Sequence, residues 1–324
     1  MSDLSCLENV AVTGATGFIG GHLVWALVAA GCRPTLVTRS RNHDGYLEEF
    51  GEEIRWAEVN LSEANSVREF LRLQKPRVLV HLAGTRGRTD ARGSAAACEE
   101  LNFRVTVDLL RAAMTAEVHR IVILGTAEEY GNQPGPQHEA LPSLATSPYG
   151  VSKARATEQA MKIHAEAGCP VVVVRPFSVY GPGQPSDMFI AEAVDAAVRN
   201  VEFRMSHGEQ KRDLIFVEDV VRGLLAAASA PGIEGSVINL GTGEAHSLRD
   251  VAELIWRMAG ANAPLLIGAR HAPEEELYDT WAEITLARRL LGWEPSVGLN
   301  KGLERTIDFA RTRLGVRAQR CQVM

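Results

Sequence analysis

Short runs of hydrophobic residues alternate along the chain with longer segments in which apolar residues recur every three or four positions. Runs rich in valine, isoleucine and leucine predict buried strands, whereas the longer periodic segments predict helices. The predicted strands are Asn9–Val12, Thr35–Thr38, Ile54–Val59, Arg77–Leu82, Arg120–Leu124, Val171–Arg175 and Val237–Leu240. The predicted helices are Gly20–Ala30, Ser62–Leu73, Ala95–Thr115, Pro148–Ala167 and Met188–Arg199. This alternation indicates an α/β fold, a doubly wound parallel sheet with helices on both faces.

A glycine-rich turn follows the first predicted strand and precedes the first predicted helix. Its sequence is Thr13-Gly14-Ala15-Thr16-Gly17-Phe18-Ile19-Gly20. Glycines in such a turn let backbone N–H groups approach a pyrophosphate, and the helix N-terminus carries partial positive charge. Because strand, turn and helix occur in this order, the motif predicts a dinucleotide-binding site rather than glycines that serve only tight turns.

A tyrosine and a lysine lie one helical turn apart in the segment Ser147-Pro148-Tyr149-Gly150-Val151-Ser152-Lys153. Residues four apart share a helix face, and a proline just before Tyr149 is typical of a helix's first turn. The helix dipole and the Lys153 ammonium both favour phenolate, so the pattern predicts a Tyr149 that exchanges protons near neutral pH. By itself this spacing also fits an exposed tyrosine and a solvated lysine. The glycine-rich turn is the second observation that favours catalysis.

Together, the glycine-rich turn and the Tyr149 segment resemble the extended short-chain dehydrogenase/reductase family, in its branch of nucleotide-sugar epimerases, dehydratases, decarboxylases and ketoreductases. Further resembling segments are 80–84, 125–131, 175–184, 211–220, 239–243 and 291–295. The resemblance implies a Rossmann-like dinucleotide-binding domain from residues 1–180 plus about 211–240. A smaller C-terminal α/β domain, from about 181–210 plus 241–324, would bind a nucleotide-diphosphate sugar. The family also pairs the helices near 95–115 and 148–167 into a homodimer.

Composition agrees with a cytoplasmic enzyme. The 324 residues are 46% hydrophobic, enough for a large core, and the net charge of −6 gives no general attraction for nucleic acid. No apolar run approaches the roughly 20 residues that span a bilayer, and no signal peptide is evident at the start. The five cysteines are scattered without a Cys/His cluster, so we expect neither a metal site nor disulfides.

The end of the second predicted strand bears on the choice of cofactor. NAD enzymes of this kind carry an acid there for the ribose hydroxyls, whereas the 2′-phosphate of NADP requires cations. Thr38 stands in place of that acid, Arg39 follows it, and Ser40 adds a hydroxyl. The segment favours NADP(H), with NAD(H) as the alternative, unless Arg39 and Arg41 are only solvated loop charges. Asn60 replaces an Asp that the family usually places against the adenine amino group, and its amide oxygen can accept the same hydrogen bond.

The resemblance assigns roles to particular side chains. Thr126 is expected to hydrogen-bond the reacting sugar oxygen, Tyr149 to give or take its proton, and Lys153 to lower the tyrosine pKa and hold the nicotinamide ribose. Arg212 is the candidate for the substrate diphosphate, and Ser178 replaces the asparagine usual on that side of the substrate. The implied cofactor contacts are Gly14, Gly17, Phe18, Ile19, Gly20, Thr38, Arg39, Ser40, Asn60, Leu61, Leu82, Ala83, Tyr149, Lys153 and Pro176.

The reaction depends on Glu128 in Gly125-Thr126-Ala127-Glu128-Glu129-Tyr130-Gly131. This segment looks most like that of GDP-4-keto-6-deoxymannose reductases. We therefore expect NADPH-dependent reduction of a nucleotide-activated 4-keto(-6-deoxy)hexose at C4, with Tyr149 as proton donor. The alternative is a nucleotide-sugar 4-epimerase, or a 4,6-dehydratase that uses Glu128. A non-catalytic NAD(P)-binding regulatory protein is a third hypothesis, disfavoured because such relatives usually lose the tyrosine or the lysine.

Overall fold

The computed structural model describes Leu7 and residues 9–40, 46–86, 91–272 and 276–322. Its strands are β1 (Val10–Thr13), β2 (Thr35–Thr38), β3 (Arg55–Glu58), β4 (Val78–His81), β5 (Arg120–Leu124), β6 (Val171–Pro176), β7 (Ser178–Tyr180), β8 (Phe203–Met205), β9 (Lys211–Arg212), β10 (Leu214–Phe216), β11 (Val237–Leu240), β12 (His246–Ser247), β13 (Leu265–Ile267) and β14 (Asp279–Thr280). Its helices are α1 (Phe18–Ala29), α2 (Ala64–Gln74), α3 (Ala91–Cys98), α4 (Val105–Thr115), α5 (Pro148–Ala167), α6 (Phe189–Arg199), α7 (Val217–Ser229), α8 (Leu248–Ala259), α9 (Thr285–Leu291) and α10 (Leu299–Gln322). Short 3-10 turns cover Tyr46–Glu53 and Ala127–Tyr130, and a π-helical segment covers Glu99–Arg104.

Seven strands form one parallel sheet in the order β11-β6-β5-β4-β1-β2-β3. The valines of β6, Val171 to Val174, are all buried. A parallel strand covered on both faces reads as a continuous apolar run rather than an alternating one. Every strand predicted for this sheet is present, and its ends differ from the prediction by no more than one residue. The Rossmann-like, doubly wound fold is confirmed.

The order of the strands reverses between β1 and β4. From this point β2 and β3 extend the sheet in one direction, and β5, β6 and β11 extend it in the other. Ligands of open parallel sheets bind in the crevice at such a reversal, outside the carboxyl ends of the strands. The glycine-rich turn after β1, Leu82 after β4 and Thr126 after β5 all lie at this edge.

The described segments outside the main sheet form small sheets of their own, in which β7 pairs with β10, β8 with β13, and β9 with both β12 and β14. Helices α6, α8 and α10 pack together over a separate apolar core that includes Phe203 and Trp256. Of the segment 211–240, which we expected to return to the main sheet, only β11 does so. The exact domain boundaries stay a prediction. Within the described residues, no helix is long and apolar enough to cross a membrane.

Candidate active site

The glycine-rich turn brings strand β1 and helix α1 into close contact. Gly14 has φ +68°, and its carbonyl accepts a hydrogen bond of 3.0 Å from the Gly17 N–H. A Cβ atom on Gly14 would lie 2.6 Å from the Ala83 nitrogen, and one on Gly20 would lie 2.1 Å from the Gly14 oxygen. Helix α1 begins at Phe18, so its first N–H groups face the crevice end of β1. These residues fit a pyrophosphate, because the absence of side chains at Gly14 and Gly20 lets the backbones of the turn, α1 and the loop after β4 pack closely beneath the N–H groups at the start of the helix.

A buried hydrogen-bond chain joins this turn to the helices beneath the site. The Thr106 hydroxyl donates its one proton to the Asn102 carbonyl (2.8 Å), so it accepts from His81 Nε2 (3.0 Å). His81 is neutral because burial lowers its pKa to about 3, so its proton is on Nε2 and its Nδ1 accepts from the Thr13 hydroxyl (2.7 Å). The Ala83 N–H donates to the same Thr13 oxygen (3.2 Å). This hydrogen-bond chain fixes the ends of β1 and β4, where the cofactor would lie.

The residues predicted to select the dinucleotide lie at the end of β2. Arg39 and Ser40 are exposed, and the Thr38 hydroxyl donates to the Ser40 carbonyl (2.9 Å). Arg41 lies outside the described residues. The structure adds a carboxylate that the segment itself lacks, because Glu58 at the end of β3 is in register with Thr38. A cation and an anion therefore both flank the predicted ribose position.

Asn60, the predicted adenine contact, bonds to its own neighbours. Its Oδ1 accepts from the Ser62 N–H (3.2 Å), and its Nδ2 donates to Glu63 Oε1 (2.7 Å). The side chain is exposed, and Leu61 beside it is half-buried. An amide oxygen has a second lone pair, so the local bond leaves one for an adenine amino group.

A buried ion pair positions Thr126 after β5. The Thr126 N–H donates to Glu129 Oε1 (2.9 Å), and Glu129 is fully buried and pairs with Arg175 (2.7 Å). The Glu128 N–H donates to the Thr126 hydroxyl oxygen (3.3 Å), which caps the short helix Ala127–Tyr130. Thr126 is therefore held by backbone and side-chain contacts at the strand end.

Tyr149 and Lys153 lie in the first turns of α5, as predicted. Ser147 caps this helix by accepting from the Gly150 N–H (2.9 Å), and Pro148 occupies its first turn. Lys153 is 6% exposed, and its ammonium donates to the Leu124 carbonyl at the end of β5 (2.8 Å). The helix thus presents the phenol and the ammonium to the edge of the sheet that carries Thr126.

The pKa of Tyr149 departs from the expected direction. Burial raises it to about 12, and the Arg86 guanidinium opposes this shift more strongly than the Thr126 hydroxyl does. The prediction that the Lys153 ammonium and the helix dipole bring it towards neutral pH is wrong for this structure. Burial also lowers the pKa of Lys153 to about 8, which removes part of the charge that the prediction relied on.

Sequence reasoning missed Asn102, which lies in the π-helical segment Glu99–Arg104. Its amide oxygen accepts from the Thr85 N–H (2.8 Å), and its Nδ2 donates to the Thr85 carbonyl (2.8 Å) and to Ser152 Oγ (3.0 Å). The Ser152 hydroxyl in turn donates to the Tyr149 carbonyl (2.8 Å). Asn102 thereby ties the loop after β4 to the catalytic helix. The only sign of it in the sequence is an asparagine among apolar residues of a predicted helix.

Sequence reasoning also missed Arg86, whose guanidinium lies over the Tyr149 ring, 5.3 Å from its centre. Its Nη2 donates to Glu128 Oε1 (3.1 Å), and Glu128 Oε2 accepts from the Ser147 hydroxyl (3.0 Å). Both carboxylate oxygens of Glu128 are therefore engaged. Glu128 lies near Tyr149 as the partner of a cation.

The predicted substrate residues are less closely grouped. Arg212 in β9 forms a half-buried ion pair with Glu276, and its Nη1 donates to the Lys211 carbonyl (2.9 Å). Ser178 begins β7 and is half-buried, and Pro176 is the buried last residue of β6. A diphosphate at Arg212 would have to compete with the Glu276 carboxylate. Among the described residues, no group of three or more His, Cys, Asp or Glu side chains is placed to hold a metal ion.

The glycine cradle after β1 and the cluster of Thr126, Tyr149 and Lys153 at the end of β5 define an NAD(P)-dependent oxidoreductase of the extended short-chain type. The chain belongs to the NAD-dependent epimerase/dehydratase family, which matches residues 10–241. A curated relative, the UDP-glucuronate 4-epimerase of Thermodesulfobacterium geofontis, is 27% identical over 94% of this chain and 96% of its own.

Solved structures give the same result. MoeE5 in complex with UDP-glucose and NAD is 32% identical, with a TM-score of 0.84 over 95% of this chain and 100% of its own. The UDP-glucose 4-epimerase of Thermotoga maritima with UDP-glucose is 26% identical, with a TM-score of 0.86 over the same shares. The similarity spans both the main sheet and the C-terminal part of the chain.

Proposed function

We propose that the protein is a UDP-sugar 4-epimerase that uses a bound NAD(P). The relatives described above support this proposal, because they include a UDP-glucuronate and a UDP-glucose 4-epimerase that match nearly the full chain. They favour the alternative kept open by the sequence over the 4-ketoreductase we first expected. Inversion at C4 requires no net oxidant, so one dinucleotide can serve many turnovers.

The engagement of Glu128 is the observation that carries the choice between epimerase and dehydratase. A 4,6-dehydratase must remove a proton at C5 and deliver one to a departing hydroxyl at C6, which requires an acid or base free to exchange protons. Both oxygens of Glu128 accept hydrogen bonds, from Arg86 and Ser147. An epimerase needs only the proton of the C4 hydroxyl, for which Tyr149 suffices.

In this proposal the side chains divide the work as follows. Tyr149 takes the proton from the sugar C4 hydroxyl and later returns it, while the Thr126 hydroxyl hydrogen-bonds the same oxygen. When bound, the dinucleotide supplies a reversible hydride acceptor for C4. Lys153 in α5, whose ammonium donates to the carbonyl of Leu124 at the end of β5, holds the nicotinamide ribose. Arg212 exchanges its Glu276 partner for the substrate diphosphate, since guanidinium groups pair well with either anion.

Three finer expectations join this proposal. The helices α3, α4 and α5 would form a homodimer bundle with a second copy, as the family resemblance implies. The protein would work in the cytoplasm. Its preferred dinucleotide would be NADP(H), for which Arg39 is the reason and against which Glu58 weighs.

The proposal is tested by incubating the purified protein with UDP-glucose, UDP-glucuronate and UDP-N-acetylglucosamine, each with added NAD or NADP. We expect one or more of them to reach equilibrium with its C4 epimer, with unchanged mass and no net change in nicotinamide absorbance. Stoichiometric NADPH oxidation with a 4-keto sugar would support the reductase instead. Loss of water or of carbon dioxide would support a dehydratase or a decarboxylase.

Tyr149→Phe tests the proposed proton carrier, because it keeps the ring and removes the transferable proton. Turnover should fall by roughly 10²–10⁴-fold, while dinucleotide binding should be retained. Glu128→Gln separates the alternatives further. An epimerase should lose only a modest part of its rate, and a dehydratase should lose orders of magnitude.

A further inference from the structure

Arg86 is fixed over the catalytic tyrosine by a short series of contacts. Its guanidinium lies 5.3 Å from the centre of the Tyr149 ring and donates to Glu128 Oε1. Glu128 Oε2 accepts from the hydroxyl of Ser147, the residue that caps the helix carrying Tyr149. The Glu128 carboxylate therefore ties Arg86 to the start of α5, the helix end that also carries the Tyr149 ring.

Charge over an aromatic face acts on the ionisation of a phenol. A cation over a ring is attracted by its negative face, and the attraction grows when the ring becomes a phenolate. Tyr149 must hold this negative charge before it can accept a proton from a sugar hydroxyl. Among the described residues, the other charged groups near the phenol are the carboxylates of Glu128 and Glu129 and the ammonium of Lys153.

These neighbours do not lower the Tyr149 pKa as Arg86 does. Both carboxylates oppose a phenolate, and Lys153 on the same helix donates to the Leu124 carbonyl. Arg86 contributes the largest effect that lowers the Tyr149 pKa. The Arg86 side chain is 48% exposed, so solvent weakens its field, and its contact with Glu128 keeps it in place.

We propose that Arg86 is a positioning residue for proton transfer, held by Glu128 over the Tyr149 ring so that its charge stabilises the phenolate that accepts the C4 hydroxyl proton. The inference rests on the proposed function in that it takes Tyr149 as the proton acceptor. It gives Glu128 an electrostatic role in place of proton transfer at C5 and C6.

The first test is the pH dependence of kcat/KM for the epimerase reaction in the Arg86→Gln, Arg86→Lys and Glu128→Gln variants. Arg86→Gln should move the acid limb to higher pH and lower kcat/KM below that limb about two- to tenfold. Arg86→Lys keeps the charge and should restore most of the loss. Glu128→Gln keeps an amide oxygen that can accept the Arg86 hydrogen bond but removes an opposing negative charge, so it should move the limb to lower pH.

Arg72→Gln is the matched control, because Arg72 pairs with Glu69 on the exposed surface of α2 and its loss changes the net charge equally. Its pH profile should match that of the unmodified protein. Opposite shifts in Arg86→Gln and Glu128→Gln would not follow from a general loss of structure. An unchanged limb in Arg86→Gln with a raised KM would show that Arg86 contacts the substrate, and would overturn the proposal.

A second readout does not depend on turnover. Ionisation of Tyr149 is followed by NMR in protein labelled with ¹³Cζ-tyrosine, loaded with dinucleotide, with the signal assigned through Tyr149→Phe. Arg86→Gln should raise the Tyr149 titration midpoint, and Arg86→Lys should not. A shifted midpoint in a protein without epimerase activity would refute the epimerase and support this inference. An active epimerase whose Tyr149 titrates equally with and without Arg86 would refute the inference alone.

Discussion

At the scale of single residues, the choice of dinucleotide depends on two opposite charges at neighbouring strand ends. Arg39 follows Thr38 at the end of β2, and Glu58 stands in register with Thr38 at the end of β3. The guanidinium favours a 2′-phosphate through charge-assisted hydrogen bonds, while the carboxylate repels it and can accept from ribose hydroxyls. Arg39 directly follows Thr38, the residue predicted to face the ribose, and the side chains of Arg39 and Glu58 are both exposed.

Arg39→Ala should weaken NADPH binding without weakening NADH binding. The expected loss is about 1–3 kcal/mol, the usual contribution of a hydrogen bond to a charged group. Calorimetric titration of both dinucleotides measures it. Arg33→Ala is the control, because Arg33 is an exposed arginine at the opposite end of β2. If the unmodified protein binds NADH as tightly as NADPH, Glu58 outweighs Arg39 and the NADP assignment fails.

The residues of the candidate site differ in how visible they are in the sequence. Tyr149 and Lys153 could be predicted because one helix sets their spacing, and Thr126 could be predicted because it follows a strand that the sequence also predicts. Arg86 and Glu128 are separated by 42 positions and meet only because β4 and β5 are adjacent in the sheet. No local sequence pattern predicts a contact between residues so far apart in the chain. The same holds for Arg212 and Glu276, 64 positions apart.

At the scale of elements, the glycine-rich turn depends on close approach between backbones. The space at Gly20 is filled by the Gly14 carbonyl, so a methyl group there would force β1 and α1 apart. Such a shift would displace the N–H groups that face the predicted pyrophosphate. The absence of a side chain at Gly20 therefore lets β1 and α1 pack closely, and this packing positions the N–H groups that would bind the pyrophosphate.

Gly20→Ala should destabilise the protein and abolish most dinucleotide binding, since an added Cβ would lie 2.1 Å from the Gly14 oxygen. Gly298→Ala is the control, because a Cβ there meets no atom within 4 Å. Thermal unfolding with and without NAD measures both effects. Equal stabilisation of Gly20→Ala and the unmodified protein by NAD would contradict the assigned role of the turn.

Most of the main sheet is predictable because its buried parallel strands are apolar runs of four to six residues separated by helices, although the edge strand β3 is partly exposed. The small strands are not. For example, β9 and β12 are two residues each, too short for any periodicity, and they exist because tertiary contacts align them. The helix predicted at Ala95–Thr115 is present, but the sequence did not predict its π-helical segment, in which Asn102 bonds to Thr85 and Ser152, residues distant in the chain.

At the scale of the whole molecule, buried His81 links β1, β4 and α4, and so couples stability to pH. Burial lowers its pKa from 6.5 to about 3, and the Lys153 ammonium adds to the shift. Between those values the unfolded chain binds the proton and the folded protein does not. Stability should therefore fall as the pH decreases from 6.5 to about 3.

His81→Asn should reduce this pH dependence. One such histidine contributes up to about 1.4 kcal/mol per pH unit to the slope of unfolding free energy against pH. The measurement is urea unfolding of both proteins at several pH values below 6.5. Carboxylates common to the two proteins cancel in the difference. Parallel curves would mean that His81 already carries a proton in the folded state.

The central claim is that the hydride removed from sugar C4 returns to the same carbon. It is tested most directly with the UDP-sugar that the protein epimerises, carrying deuterium at C4, incubated with the purified protein and followed by NMR of the product. We expect the C4 epimer with deuterium retained at C4 and none released to water or to cofactor added in excess. Deuterium at C6 of a dehydrated product, or its loss into the dinucleotide pool with a 4-keto product, would contradict the account.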